Sequence, residues 1–389
     1  MTLAAHEAAM PAIAPIRTAL IGYGYVGRTF HAPLIRAVPG LDLVAIGSSR
    51  PPNEVHETAP GVTVLADPHA AATWSGADLI IIATPNDSHA PLAEAALAAG
   101  KHVVVDKPFT ITLAEARRLA DASAASGTLL SVFQNRRWDS DFLTVKSAIE
   151  SGRLGAIVQF DSHIDRFRPV VQNRWRERPG PGAGLWFDLG PHLLDQAFQL
   201  FGLPDLMTVN IAQQRAGATA PDWFHAVLSY PRLRAVLQGG MLVSGGSARF
   251  TLHGTVASLV KGNVDVQESQ LRAGVVPGDL DWGIDLDAAT LFDGATGETE
   301  IMAASDGDYR RYYGAVVEAI RGEAPNPVTP AEAVAVMAAL ETGERSAAEG
   351  RFLSLPLTDA EVAAFYAAQR ARIGITAERE IDPLAGSIL

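Results

Sequence analysis

The sequence has no cysteine, which excludes disulfides, thiolate nucleophiles and cysteine-ligated zinc while leaving the cellular compartment open. It has no apolar stretch near the length of a membrane span; the run from Leu79 to Ala83 is only strand-sized. It has no basic excess: 31 lysines and arginines face 43 acids, a net charge of −12. Nucleic acids and anionic membranes, which need a basic footprint, are thereby excluded as partners. His163, His225 and His253 show no paired spacing with carboxylates, so no metal site is expected. Met1–Pro15 is rich in alanine and proline and lacks the basic start of a secretory signal and the arginines of a transit peptide. It reads as a flexible tail, or an arm lying on a neighbouring surface, of a soluble cytoplasmic protein.

What is present is globular. Of 389 residues, 48% are hydrophobic and 19% charged, a balance that favours more than one core at this length. From Ile16 to Gln134 short apolar runs alternate with helical stretches. Strands are expected at Thr18–Gly22, Leu41–Ser48, Leu79–Thr84, His102–Asp106 and Leu129–Phe133, and helices at Val26–Ala37, Pro91–Ala99 and Leu113–Ser123, the last behind the capping box Thr112–Glu115. Such alternation predicts a parallel, doubly wound α/β sheet of the Rossmann type.

After Gln134 the rhythm changes. A helix at Asp141–Ser151, a strand at Gly155–Ile164 and a helix at Pro191–Phe201 precede crowded strands at Met207–Gln213, Phe224–Tyr230, Leu233–Gln238, Arg249–His253 and Ser258–Val260. Consecutive strands without intervening helices predict an α+β domain with a mainly antiparallel sheet. Helices return at Tyr309–Arg321, Ala331–Ala348 and Asp359–Ile373, the last behind Thr358–Glu361. The expected division is a tail over 1–15, a dinucleotide-binding domain over 16–135, an α+β domain for substrate and oligomer contacts over 136–357, and a C-terminal helix and tail over 358–389.

The segment Gly22-Tyr23-Gly24-Tyr25-Val26-Gly27 places G-x-G-x-x-G between the first strand and the first helix. Gly22 permits the tight turn, Gly24 lets a pyrophosphate approach the backbone, and Gly27 lets helix and strand pack closely. The helix start adds unpaired N–H groups and a positive dipole end. The second strand selects the nicotinamide cofactor. NAD sites want a carboxylate at its C-terminal end, where this chain has Ser48, Ser49 and Arg50; Asp42 lies at the far end. Hydroxyls and a guanidinium suit the 2′-phosphate of NADP(H), with NAD the alternative and Arg50 as a solvated turn residue the structural one.

The fifth strand runs into Lys107-Pro108, where a lysine would touch a substrate oxygen. Downstream lies Asp188-Leu189-Gly190-Pro191-His192, with Pro191 read as a first helical residue. His192 would then sit in the first helical turn, its protonated form disfavoured by the dipole, with Asp188 before it to orient the ring. Hydride transfer at an alcohol needs a group that takes the hydroxyl proton, and these residues suit it.

With these motifs the sequence resembles the glucose-fructose oxidoreductase, inositol dehydrogenase and rhizopine-catabolism (Gfo/Idh/MocA) family. The resemblance is carried by the glycine loop, Ala83-Thr84-Pro85-Asn86 with His89 following, Asp106-Lys107-Pro108, and Asp188 with His192. It implies that the glycine loop (with Tyr25 and Val26), Thr84, Pro85, Asn86, His89, Asp106, Lys107 and Pro108 line the cofactor. It further implies that Lys107 polarises the reacting oxygen, His192 is the general acid/base, Asp188 holds substrate or His192, and the peptide before Pro108 is cis. Homodimers or homotetramers built on the open sheet are implied too. The family's usual glutamate before the lysine is here Asp106. Phe30-His31-Ala32-Pro33, Asn135-Arg136-Arg137-Trp138-Asp139 and Arg174-Trp175-Arg176-Glu177 resemble a subgroup containing NADP-dependent scyllo-inositol dehydrogenases, which implies scyllo-inositol and its 2-keto form as substrates.

Other readings stay open at this point. His31 faces the nicotinamide or substrate, or is a helix-surface histidine; Asn135 and Arg136 contact substrate, while Arg137 and Asp139 pair as a hinge. Trp175 stacks on a sugar ring from a mobile loop, or the loop's arginines are clamped by neighbouring acids. Asp195 shares the catalytic face or is ordinary structure, and Glu341, Glu344 and Arg345 form a solvated face. Between Gln134 and Gly180 nine basic residues face six acids, which would suit another sugar or an acidic sugar derivative as substrate. A non-catalytic NADP(H)-binding regulatory protein is the reading from another class.

Overall fold

The structure, a computed structural model, describes residues 14–373; the expected tail lies outside the described residues as far as residue 13. The first sheet contains β1 (Ile16–Ile21), β2 (Leu41–Gly47), β3 (Thr63–Leu65), β4 (Leu79–Ile82), β5 (His102–Val105) and β6 (Leu130–Val132) in the order β3-β2-β1-β4-β5-β6, all parallel. This is the doubly wound order of a dinucleotide-binding domain, with its crevice at the carboxyl ends of β1 and β4. β4 is Leu-Ile-Ile-Ile and fully buried, as a central parallel strand covered on both faces must be. β3 and the short helices Pro52–Thr58 and Pro68–Ala72 were not expected from the sequence; three to seven residues give too little periodicity to read.

The second sheet has eight strands: β7 (Ile157–Asp165), β8 (Leu206–Ala212), β9 (Trp223–Ser229), β10 (Arg234–Gly240), β11 (Phe250–Gly254), β12 (Ala257–Lys261), β13 (Ala289–Asp293) and β14 (Thr299–Met302). Their order is β14-β13-β12-β11-β7-β10-β9-β8. Every pair is antiparallel except β7 with β10. β13 and β14 were not expected from the sequence; β14 is mostly exposed and so lacks the apolar alternation that marks a half-buried strand.

One helix departs from expectation in a way that bears on chemistry. It begins at Gly184, not at Pro191, and continues to Phe201 with Pro191 inside it. His192 is therefore two turns into the helix, and the helix-dipole argument made for it from the sequence does not hold. Gly190 and Pro191 read as a boundary, but the apolar stripe is strong enough to carry the helix through them. Pro191 lacks the N–H that would reach Phe187, and one residue on, the Asp188 carbonyl accepts from the Lys107 ammonium.

The helix Pro330–Glu349 lies between the two sheets, touching the helix Leu113–Ser126 on one side and β8 and Gly184–Phe201 on the other. A Cβ at Gly343 would come within 2.4 Å of the Trp186 ring, so a missing side chain is what admits the tryptophan, whose indole N–H donates to Leu340 O at 3.0 Å. Both expected capping boxes, Thr112–Glu115 and Thr358–Glu361, are formed. Among the described residues no helix is long and apolar enough to cross a membrane.

Candidate functional site

The glycine loop leaves β1 beside β2: Gly22 N–H donates to Gly47 O at 2.9 Å. Gly22 has φ +99°, and a Cβ there would lie 2.3 Å from Ala83 O, so both conformation and space require glycine. A Cβ on Gly27 would lie 2.0 Å from Gly22 O. Gly24 differs, since a Cβ there would meet no atom of the described residues within 4 Å. The loop is thus tightened by its own packing at two glycines and open at the third, which fits a dinucleotide pyrophosphate. Gly27–His31 winds as a π-turn before the α-helix Ala32–Ala37; the helical winding begins at Tyr25, and the first N–H groups of a helix have no intrahelical acceptors.

Ser48 follows the end of β2, and Arg50 is exposed, its backbone N–H on Ser48 Oγ at 3.1 Å and its guanidinium 3.3 Å from Glu54. Asp42 is exposed at the start of β2, opposite Arg17. On the other side of the crevice Thr84 takes a hydrogen bond from Ser88, Pro85 is exposed, and buried Asn86 donates to Gly182 O at 3.0 Å. His89 does not reach the cavity. Fully buried, its ring nitrogens lie 2.9 Å from Pro108 O and 3.0 Å from Thr84 O; a neutral ring donates to one carbonyl at a time, so it braces these two segments. The Lys107–Pro108 peptide is cis.

A cavity of about 430 Å³ opens between the two sheets and is lined by Tyr25, Asp106, Lys107, Asn135, Arg136, Asp188 and His192, among others. Lys107 Nζ donates to Asp188 O at 2.8 Å and to Asp188 Oδ1 at 3.1 Å. Arg176 and Arg166 approach the same carboxylate at 3.7 Å each. Burial alone would raise Asp188, but Lys107, Arg176 and Arg166 outweigh it and hold the carboxyl well below its usual range. Burial lowers Lys107, opposed by Asp188. His192 is 4% exposed, with Nδ1 lacking a partner among the described residues. Burial, then the charges of Lys107 and Arg136, holds it well below its ordinary value despite Asp188. The ring is therefore neutral at pH 7. Asp188 and His192, four residues apart, lie on one helix face, yet Asp188 spends its bonds on Lys107. Asp106, where a longer acid was expected, turns its Oδ1 back onto the Lys107 backbone N–H at 2.9 Å.

Several sequence readings are corrected. His31 neither lines the cavity nor lies on the surface; it is fully buried, 2.5 Å from the Tyr313 hydroxyl. Arg137 does not pair with Asp139. It takes Asp195 at 2.6 Å and Glu332 at 3.1 Å, while Arg136 pairs with Asp139 at 2.9 Å. Asp195 therefore serves this buried network, not the cavity. Glu341 is no solvated residue, because it accepts from the Leu113 N–H at 2.7 Å at the start of a neighbouring helix. The side chain of Trp175 lies outside what the structure describes. Sequence reasoning missed Glu268 and Arg272, carried by the short helix Gln267–Ala273. Glu268 accepts from the Tyr25 hydroxyl at 3.2 Å and from Arg136 at 3.3 Å; partners more than a hundred residues apart leave no local signal.

A six-stranded parallel sheet with an open glycine loop, joined to a mixed sheet across a cavity holding a lysine, an aspartate and a histidine, defines the class of NAD(P)-dependent oxidoreductases. Within that class the chain belongs to the Gfo/Idh/MocA family. Residues 16–134 match the family description "Oxidoreductase family, NAD-binding Rossmann fold" and residues 146–357 match "Oxidoreductase family, C-terminal alpha/beta domain". The chain is 50% identical to the uncharacterized oxidoreductase YdgJ of Escherichia coli (strain K12), over 85% of this chain and 96% of that protein. It is 38% identical to the scyllo-inositol 2-dehydrogenase (NADP(+)) IolW of Bacillus subtilis (strain 168), over 87% and 96%. A crystal structure of an oxidoreductase from Klebsiella pneumoniae superposes with TM-score 0.87 at 51% identity, covering 92% of this chain and all of that one.

Proposed function

We propose that this protein is an NADP(H)-dependent oxidoreductase acting on a ring hydroxyl or ketone of a cyclic polyol or sugar. The observation that carries the reading is the convergence of Lys107, Asp188 and neutral His192 on one cavity beside the open glycine loop. When bound, the nicotinamide accepts or supplies the hydride. In the oxidative direction neutral His192 takes the proton leaving the hydroxyl, and it returns that proton in reduction. The Lys107 ammonium donates to the same oxygen and stabilises the negative charge that develops there. Asp188 fixes the ammonium through two acceptors, so its geometry is set before substrate arrives.

NADP(H) is favoured over NAD by Ser48, Ser49 and Arg50 at the end of β2. The exposed Arg50–Glu54 pair is of a kind worth less than about 1 kcal/mol, so the guanidinium is easily surrendered to a phosphate. Scyllo-inositol and inosose, suggested by the name of IolW, are the reference substrates. Nicotinamide absorbance in parallel assays with NADP+ and NAD+ tests the reading: NADPH should form with a polyol or sugar, and no turnover across the panel would overturn it.

A further inference from the structure

The cavity carries more positive charge than hydride transfer at a neutral ring requires. Eight of its lining side chains are cationic and five acidic, in a chain whose net charge is −12. Most of these cations are shared out among the acids: Asp188 alone serves Lys107, Arg166 and Arg176, and Glu177 serves Arg174 and Arg215. Arg272 and Arg168 are different: among the described residues no carboxylate lies within 4.0 Å of either guanidinium. Of the two, Arg168 is the one that continues from the second sheet.

Its backbone is nevertheless firmly placed. Beyond β7 the chain continues extended, with Arg166 N–H on Gly240 O at 2.9 Å and Arg168 N–H on Met241 O at 2.8 Å. The Arg168 carbonyl accepts from buried Arg215 at 3.2 Å, and Arg215 is itself held by Asp222 at 2.9 Å. In extended chain, residues two apart share a side: Arg166 and Arg168 both line the cavity, while Phe167 between them is 57% exposed. Burial, and after it the charges of Arg166 and Arg174, depresses the Arg168 guanidinium below its ordinary value. Glu268 offsets this only in part, so a cation so held is stabilised by a further anion.

We propose that the substrate of this site carries an anionic group, a carboxylate or a phosphate, which Arg168 binds beside Arg166 and Arg174. The inference rests on the reading of this cavity as the substrate site and narrows its class to acidic sugars or polyols. The cofactor phosphates are not the better candidates: the open glycine and Ser48–Arg50 belong to the first sheet, whereas Arg168 extends from the second and shares its cavity with Lys107 and His192. A planar guanidinium binds carboxylate or phosphate oxygens in pairs and discriminates against a neutral hydroxyl.

The test uses the full chain loaded with NADPH, which cannot oxidise an alcohol, so binding is read whether or not turnover occurs. Calorimetric titrations with inorganic phosphate, a hexuronate, a hexose phosphate and the neutral hexose are compared in wild type, R168Q and R168K. Wild type should bind phosphate and at least one anionic sugar, the latter at least about ten-fold more tightly than the neutral hexose. R168Q should abolish that preference at unchanged NADPH affinity, and R168K should keep part of it. The hexuronate and phosphate arms separate the two sources of charge. Absence of phosphate and anionic-sugar binding in wild type, or a preference that survives R168Q, overturns the proposal. Anion binding without turnover on any substrate would instead contradict the proposed function alone.

Discussion

Lys107 and Asp188 are joined twice, the ammonium donating to the backbone carbonyl at 2.8 Å and to the side-chain carboxylate at 3.1 Å of one residue. The pair bridges the two sheets: Lys107 follows β5 of the parallel sheet, and Asp188 lies on the helix that covers β9 and β10 of the mixed one. One residue thus sets where the ammonium points and opposes the burial that lowers its pKa.

Replacing Lys107 by Ala should lower kcat by a factor on the order of 10² to 10³, the range for losing one preorganised donor to a developing oxyanion. NADPH affinity, measured by fluorescence titration, should change little. D188N keeps the backbone acceptor and removes the charge, so it should lower kcat less than K107A does.

The pH dependence follows from the shifts of two groups. In the proposed mechanism His192 must be neutral to take a proton, and burial with the charges of Lys107 and Arg136 holds it well below 6.5. For alcohol oxidation, kcat/KM should therefore rise through an apparent pKa below 6.5 and then stay level. Lys107 must be charged, and burial lowers it from 10.5, so the rate should fall again before pH 10.5. H192N should abolish the acid limb along with most of the activity.

Two of the loop glycines should respond differently to alanine. Gly24→Ala meets no atom of the described residues, so the thermal midpoint should hold while the Kd for NADPH rises at least about ten-fold. Gly27→Ala drives a Cβ to 2.0 Å from Gly22 O. It should cost stability, on the order of 1–3 kcal/mol or more, as overpacking does, besides cofactor binding. Equal loss of stability in both variants would contradict the division of roles.

Arg50→Ala should raise KM for NADP+ at least about ten-fold, the loss expected for a charge-assisted hydrogen bond, while leaving any activity with NAD+ unchanged. Its exposed partner Glu54 contributes little to stability, so the thermal midpoint should not move.

His31 predicts an acid sensitivity unrelated to catalysis. Burial pushes its pKa from 6.5 down to about 4, so between those values the unfolded chain binds the proton that the folded one refuses. Stability is therefore fully present above pH 6.5 and declines as the pH falls toward 4, by roughly 3 kcal/mol for this group. His89 and His192, also lowered by burial, act in the same direction. H31Q should reduce, without abolishing, the slope of unfolding free energy against pH in that window.

The fold was legible mostly where one face or both faces of an element were apolar, β13 being an exception. β4 and β5 announce themselves as buried runs, and the glycine loop stands between a strand and a helix, the context its motif requires. The site was legible at Lys107, Asp188 and His192 because those residues sit in local patterns. What sequence could not supply was pairing across distance. Arg137 with Asp195 and Glu332, His31 with Tyr313, and Glu268 with Tyr25 join residues that only the tertiary fold brings together. The helix through Pro191 misled for the opposite reason: a local rule about glycine and proline was overridden by an apolar stripe packed on Leu340 and Phe224.

The most direct test of the account is nicotinamide absorbance with purified protein, NADP+ and NAD+ side by side, across inositols, neutral sugars and their acidic derivatives, with K107A and H192N as controls. The account predicts NADPH formation with at least one ring polyol or sugar, little with NAD+, and near-complete loss in both variants. Tight NADPH binding with no turnover on any compound, or turnover that survives both substitutions, would contradict it.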